Sequence, residues 1–233
     1  MKSTKGQIFV TLAILLVLLL AAYLPFIHQN GFLQDDWNTL FITEQRGAGS
    51  LVDHFSIDRP LRGYFGLLEY RLLGADMTGY QVFALIWRYL DAVLVFLILM
   101  LVWPGRWLQN TLICALVIIF PGFHEQPHAF DYQAHLFARM CMVFSIYASL
   151  LIFKVKNIWL KAGCILAAVV AAQVSYGLME YYLGLEVLRV AFFYVAIYRQ
   201  EISGKLKKFL LFSALFIVNC LAFIYWRMFL FEA

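Results

Sequence analysis

The sequence has few charged residues: Asp, Glu, Lys and Arg together make up 14% of its 233 residues, whereas 64% are hydrophobic. Soluble domains usually carry about 25% charged and about 45–50% apolar residues. The composition therefore excludes an ordinary soluble domain and predicts an integral membrane protein. The first uncharged run, residues 7–27, is longer than the apolar core of a secretory signal peptide, so we expect an uncleaved membrane-spanning helix there.

Cysteine is also scarce, and no two of the four cysteines form a CxxC pair. Each of them lies inside an apolar run: Cys114, Cys141, Cys164 and Cys220. This placement predicts small buried hydrophobic residues in lipid-embedded helices, which carry no information about the redox compartment.

The apolar runs predict an all-α, polytopic membrane protein. A helix rises 1.5 Å per residue, so about 20 apolar residues cross a hydrocarbon core of about 30 Å. Seven segments meet or approach this length: Gln7 to Ile27, Tyr80 to Trp103, Leu108 to Phe120, His135 to Phe153, Ile158 to Val174, Tyr181 to Tyr198 and Phe209 to Trp226. The third is the shortest, because Pro121 and Gly122 stop it. We expect one transmembrane domain over residues 1–233, with a long outer loop at 28–79 and six further spans at 80–233.

The charges between these segments predict the orientation. If the amino terminus is cytoplasmic, ten Lys and Arg residues lie on the cytoplasmic side with one acid, Glu201, and every loop obeys the positive-inside rule. The protein is then expected in the plasma membrane of the cell, with its acids and all five histidines gathered outside. Because the net charge of +4 is divided between two sides and forms no basic stripe, no nucleic-acid partner is predicted.

The long outer loop is too apolar and too periodic for a disordered linker. In "DDWNTLFITEQ", Asp35 or Asp36 is expected to cap a helix, which the following "GAGS" ends. A second helix is expected to begin at Pro60 and to end at Gly74, with an apolar stripe that includes Leu61, Leu68 and Leu72. Both segments are too short to span a bilayer, so they are predicted to lie in the interface plane.

Two adjacent acids, Asp35 and Asp36, stand at the start of this loop, close to the membrane edge. One acid suffices as a helix cap, and the other could simply be solvated near the helix dipole. A second acid at a hydrophobic boundary, however, raises the repulsion and desolvation of both. Such a pair is useful as a general base or as ligands of a divalent cation.

The order of these parts resembles the conserved seven-helix module of the GT-C fold. The motifs "LQDDWNTL", "DRPLRGYFGLLEYRLLG" and "GYQVFALIWRYLDAVLVFLIL" are similar to bacterial members of this group of glycosyltransferases, which use polyprenyl-phosphate sugars. The resemblance implies that Asp35 or Asp36 activates an acceptor while a lipid phosphate leaves the sugar. The implied partners are the polyprenyl-phosphate sugar and membrane lipid, together with other membrane subunits if the chain works within a complex.

Further residues could complete such a site. The guanidinium forks of Arg59 and Arg62 could hold the leaving phosphate, or could simply lie on the wet face of a surface helix. The full expected substrate-binding set is Arg59, Arg62, Trp37, Asp58, His128, Asp131 and Glu180. No cofactor is required by the pattern. A divalent cation stays open, because the run 124–135 is rich in His and acids but lacks an HExxH motif and contains Pro127.

Charged residues also occur inside predicted spans. Arg88 and Asp91, like Glu186 and Arg189, are three residues apart and could pair on one helix face. Such charges are costly in lipid, so they are expected to face the protein interior, either as structural bridges or as functional groups.

A non-catalytic subunit and a transporter are the alternatives to the glycosyltransferase. Members of the resembled group usually continue through more spans, whereas "RMFLFEA" follows directly on the last predicted span here. The chain could therefore be a module fragment, a minimal enzyme or a non-catalytic subunit of a larger membrane complex. A transporter would need an inverted repeat, and no convincing repeat is visible.

Overall fold

The computed structural model describes residues 5–29, 31–120, 130–199 and 204–231, and within these ranges the chain forms only helices and turns. The α-helices are α1 (Lys5–Tyr23), α2 (Asp35–Arg46), α3 (Ser50–Ser56), α4 (Pro60–Leu73), α5 (Met77–Val102), α6 (Trp107–Ile119), α7 (Gln133–Leu151), α8 (Ile158–Leu178), α9 (Glu186–Tyr198) and α10 (Lys205–Tyr225). A 3₁₀ helix at Glu180–Leu185 leads into α9. The predicted all-α polytopic class is thereby confirmed.

Six helical segments in the described part of the chain are long and apolar enough to cross a membrane: Lys5–Phe26, Met77–Val102, Gln133–Leu151, Ile158–Leu178, Glu180–Tyr198 and Lys205–Leu230. The predicted third span corresponds to α6, which is shorter, with 13 residues and a length of about 20 Å. Polar contacts set α6 parallel to α1. The Thr11 and Thr111 hydroxyls lie 2.9 Å apart near one end, and the Tyr23 hydroxyl donates to the Ile118 carbonyl at 3.0 Å near the other.

The bundle has two distinct faces. The loop face carries α2, α3 and α4, the start of α7, the 3₁₀ helix before α9 and the end of α10. On the opposite face, α5, α7 and α9 end, and α1, α6, α8 and α10 begin. This alternation follows from the order of the helices. In the predicted orientation, which stays a prediction, the loop face is the outer one.

The long loop contains three helices, whereas the sequence predicted two. The predicted helices are α2 and α4, and the additional α3 has only seven residues. Gly47, with φ of 81°, ends α2, and Pro60 starts α4, as expected. The predicted cap is wrong, because Gln34 is the residue before α2 and its side chain makes no capping hydrogen bond. Both acids instead lie in the first turn of α2, where their negative charge interacts favourably with the positive end of the helix dipole.

The bundle interior contains paired charges. Arg189 is fully buried, and its Nε donates to Glu186 Oε2 at 2.7 Å, which confirms the predicted pair. The same guanidinium donates to the Ser145 carbonyl at 3.0 Å and to its hydroxyl at 2.8 Å. Asp91 accepts a hydrogen bond from Arg139 of α7 at 2.8 Å, so it ties α5 to α7. These bonds offset the cost of placing charge in a low-dielectric interior.

The buried side of α4 is formed by Gly63, Gly66 and Glu69. Of the predicted apolar stripe, Leu68 and Leu72 are 56% and 65% exposed, whereas Phe65 stacks on Phe137 of α7 with ring centroids 4.8 Å apart. The glycines allow α3 to pack closely, since a Cβ on Gly63 would lie 2.8 Å from the Leu51 carbonyl oxygen. The leucines thus point away from the bundle, as an interfacial helix requires.

Substitution of Gly63 tests this packing. Gly63→Ala should lower the free energy of unfolding by about 1–3 kcal/mol, because the new methyl meets backbone that must shift. The thermal unfolding midpoint in detergent micelles should fall accordingly, by about 2–4 °C per kcal/mol. Gly66→Ala is the matched control on the same helix, since its nearest contact would be an ordinary 3.5 Å to the Phe130 ring. Equal midpoints for the two variants would contradict the close approach.

Candidate functional site on the loop face

Asp36 is completely buried and holds two chain segments together. Its Oδ1 accepts hydrogen bonds from the backbone N–H groups of Phe130 at 3.0 Å and Asp131 at 2.7 Å. Its Oδ2 accepts from the N–H of Leu33 at 3.2 Å. A carboxylate that accepts three backbone N–H bonds is stabilised in its charged form and is fixed in place. Asp36 therefore anchors the start of α2 to the segment that leads into α7.

Asp35, in contrast, is exposed at the same turn. Its negative charge acts on the guanidinium of Arg62, so the two groups share one electrostatic environment. The preceding Gln34 has a φ of 40°, an unfavourable value for a residue with a side chain. The anchored Asp36 and the constrained Gln34 lie on either side of Asp35, and they fix the backbone from which its carboxylate extends.

Arg62 reaches from the first turn of α4 to Asp131, to which its Nη2 donates. The guanidinium also lies over the Phe55 ring, 4.3 Å from the centroid, and its side chain is only 11% exposed. Burial and the neighbouring charge of Arg59 lower the Arg62 pKa to about 10. Arg62 still carries its positive charge at neutral pH, in surroundings that hold little water.

Arg59 forms the second charged cluster. Its Nε and Nη2 donate to the two carboxylate oxygens of Glu180 at 3.0 and 2.8 Å, a bidentate pair. Its Nη1 donates to Asp58 at 2.9 Å, and Asp58 in turn accepts from Arg227 at 3.2 Å. The bond to Glu180 raises the pKa of Arg59. Through these contacts α4 is joined to the 3₁₀ helix before α9 and to the end of α10.

Three aromatic rings line up between the two clusters. His135 stacks on Tyr132 with centroids 5.1 Å apart and on Tyr181 with centroids 5.9 Å apart. The guanidinium of Arg59 lies 5.5 Å from the centroid of the Tyr181 ring. The stack connects the start of α7 to Arg59, so both clusters belong to one site.

Most of the expected site residues thus lie together. Arg59, Arg62, Asp58, Asp131 and Glu180 form the two linked clusters described above. Trp37 lies on α2 and is 61% exposed, with an edge-to-face contact to Phe32. His128, with His124 and Glu125, falls outside the described residues.

Sequence reasoning missed Glu69. This carboxyl group is only 4% exposed, and its Oε1 has no hydrogen-bond partner within the described part of the chain. It borders a cavity of about 10 Å³ together with Arg62 and Asp131, which is the space of about one water molecule. Burial raises the pKa of Glu69 well above its ordinary value. A signal was present, because Arg62 and Glu69 are two helical turns apart on α4.

The described residues contain no group of three His, Cys, Asp or Glu side chains that could hold a metal ion. They therefore do not support the possible divalent-cation site. The residues outside the described ranges include part of the His-rich run considered for this role.

Comparison with known proteins does not extend this picture. No family model, no curated protein and no solved structure matches the chain. The resemblance to the GT-C module therefore depends on the residues quoted above and on the order of the helices.

Asparagine substitutions should show that Asp36 contributes more than Asp35 to the stability of the fold. In Asp36→Asn the amide can keep the bonds to Phe130 and Asp131, but its NH₂ group opposes the N–H of Leu33. We expect a loss of about 1–3 kcal/mol in the free energy of unfolding. Asp35→Asn, the matched control one residue earlier, should cost less than about 1 kcal/mol. Thermal unfolding in detergent measures both, and a larger loss for Asp35→Asn would contradict the assigned roles.

The raised pKa of Glu69 predicts how the stability of the protein changes with pH. An acid whose pKa is raised in the folded state binds more protons than the unfolded chain, so stability falls as pH rises above its unfolded pKa of about 4.3. Glu69→Gln removes this loss. The unfolding midpoint of Glu69→Gln minus that of the unmodified chain should therefore increase as the pH is raised from 5 to 8. A pH-independent difference would show that Glu69 titrates normally.

Proposed function

We propose that this chain is a membrane glycosyltransferase that moves a sugar from a polyprenyl-phosphate carrier to an acceptor at the loop face. The proposal depends on one observation above all. Asp35 is an exposed carboxylate whose charge acts on the buried guanidinium of Arg62. A candidate base and a candidate phosphate-binding cation thus share one face at the end of a membrane bundle, where a lipid-held donor and a water-borne acceptor can meet.

In this proposal Asp35 is the general base and Asp36 is its positioning residue. Asp36 is buried, and its two oxygens accept three backbone N–H groups, so it offers little access to an acceptor hydroxyl. Asp35 is open to solvent and can accept a proton from an acceptor that arrives at this face. The acidic pair then has two separate tasks, one structural and one chemical.

The arginines are suited to the leaving phosphate. Asp131 and Glu180 accept hydrogen bonds from the guanidinium groups of Arg62 and Arg59. These carboxylates keep the guanidinium groups charged, oriented and largely dehydrated. Two oxygens of a phosphate can accept from the planar guanidinium fork as a carboxylate does, so a phosphate can replace a carboxylate without a new desolvation cost for the arginine.

A groove gives the lipid part of the donor a place to lie. It has a volume of about 300 Å³ and is lined by Ile113, Leu116, Val117 and Phe120 of α6 and by Arg139 of α7. The walls are otherwise apolar, as an isoprenoid chain requires, and Arg139 is paired with Asp91.

The non-catalytic subunit stays as the second candidate because of the same ion pairs. The contacts Arg62–Asp131, Arg59–Glu180 and Asp58–Arg227 join the loop helices to three other parts of the bundle. Such a network serves equally well to hold a rigid surface for another membrane protein.

Asp35→Asn distinguishes the two candidates. The purified chain, in native membranes or with its copurifying partners, is supplied with radiolabelled polyprenyl-phosphate sugars, and transfer is measured. Loss of a positioned general base should lower the rate by about 10²–10⁴, while the unfolding midpoint changes little.

Asp53→Asn is the matched control, an exposed acid on α3 outside the clusters, and should keep the activity within about twofold. An active preparation in which Asp35→Asn turns over normally would remove the assigned base. If the unmodified chain transfers no sugar and copurifies stoichiometrically with a membrane complex, the subunit function replaces the enzyme.

A further inference from the structure

A second polar cavity lies on the opposite face of the bundle, far from Asp35. The ends of α5, α7 and α9 enclose a volume of about 190 Å³, many times the volume of the cavity beside Glu69. Leu101, Leu150 and Phe153 form apolar walls, and Lys154 and Arg199 add two cations. The cavity thus combines an apolar interior with positive charge at a helix-end boundary.

The two cations have different local roles. Three helix carboxyl ends meet here and carry partial negative charge. Arg199 satisfies one of them, since its Nη1 donates to the Val102 carbonyl at the end of α5. Lys154 follows α7 and is exposed, and its ammonium makes no hydrogen bond or ion pair with any described residue. Its ammonium is therefore available to a ligand in the cavity.

Protein counter-ions for these cations are absent from the described part of this face. The described Asp and Glu residues lie either on the loop face or, as Asp91 and Glu186, inside the bundle. Other cations on this face, among them Lys156, Lys161 and Lys205, follow the end of α7 or begin α8 and α10. Among the described residues, the ammonium of Lys154 therefore remains for an external anion.

We propose that this cavity binds the phosphate headgroup of an anionic phospholipid from the adjacent leaflet. Lys154 and Arg199 contact the phosphate, and the acyl chains lie along Leu101, Leu150 and Phe153. Basic cavities between the ends of membrane-spanning helices are suited to such headgroups, because full cationic charge and apolar surface are offered together. The proposal does not depend on the function of the loop face.

The test uses the full-length chain in neutral detergent with phosphatidylglycerol, phosphatidylcholine or inorganic phosphate. Native mass spectrometry counts retained lipids, and the thermal unfolding midpoint reports stabilisation. We expect phosphatidylglycerol to be retained and to raise the midpoint, whereas phosphatidylcholine and inorganic phosphate do neither. Stabilisation by phosphatidylcholine of equal size, or by inorganic phosphate alone, would overturn the proposal in favour of general lipid solvation or a soluble-anion site.

Variants locate the binding. Lys154→Gln should weaken phosphatidylglycerol binding about fivefold, the effect of one cation near a membrane surface. Lys156→Gln is the matched control, two residues away and outside the cavity, and should bind as the unmodified chain does. Arg199→Gln also removes a bond to α5, so its binding is compared only if its unfolding midpoint without lipid is unchanged. Equal weakening by Lys154→Gln and Lys156→Gln would mean diffuse charge attraction and would reject the cavity.

Discussion

The protein depends on one constraint: a charge placed in a membrane bundle must have a partner. Asp36, Asp91, Glu186 and Arg189 are all buried, and each is hydrogen-bonded to a group from another part of the chain or from the next helical turn. An isolated charge at such depth would cost several kcal/mol. The pairs therefore select the helix arrangement in which their partners meet, and they do so more specifically than apolar packing can in lipid.

The same constraint builds the loop face. The helices α2 to α4 present much of their apolar surface outward, so apolar contact alone does not hold them to the bundle. Asp36 ties α2 to the start of α7, Arg62 ties α4 to Asp131, and Arg59 ties it to Glu180. These bonds also fix the backbone at Asp35, although the Asp35 side chain takes no part in them.

This arrangement gives the two proposed sites different characters. The loop face concentrates acids and arginines in matched pairs, a state from which a phosphate can displace a carboxylate. Among the described residues, the opposite face has cations and no acids beside an apolar cavity, an arrangement suited to an anionic lipid. The two proposals thus differ in their ligand, a reacting one at the loop face and a structural one at the opposite face.

The sequence by itself determined the membrane class, six of the seven predicted spans, the end of α2 and the start of α4, because length, hydropathy and residues such as Gly47 and Pro60 act locally. It also predicted the Glu186–Arg189 pair, which is one helical turn apart. Only the tertiary structure decided whether Asp35 or Asp36 is buried. Asp36 is buried where it accepts hydrogen bonds from the backbone of Phe130 and Asp131, which are distant from it in the sequence. The tertiary structure likewise decided that α4 packs through Gly63, Gly66 and Glu69. In water an apolar stripe marks the buried face of a helix, but next to lipid such a stripe can face outward, so the pattern of leucines in α4 did not identify the side that meets the protein.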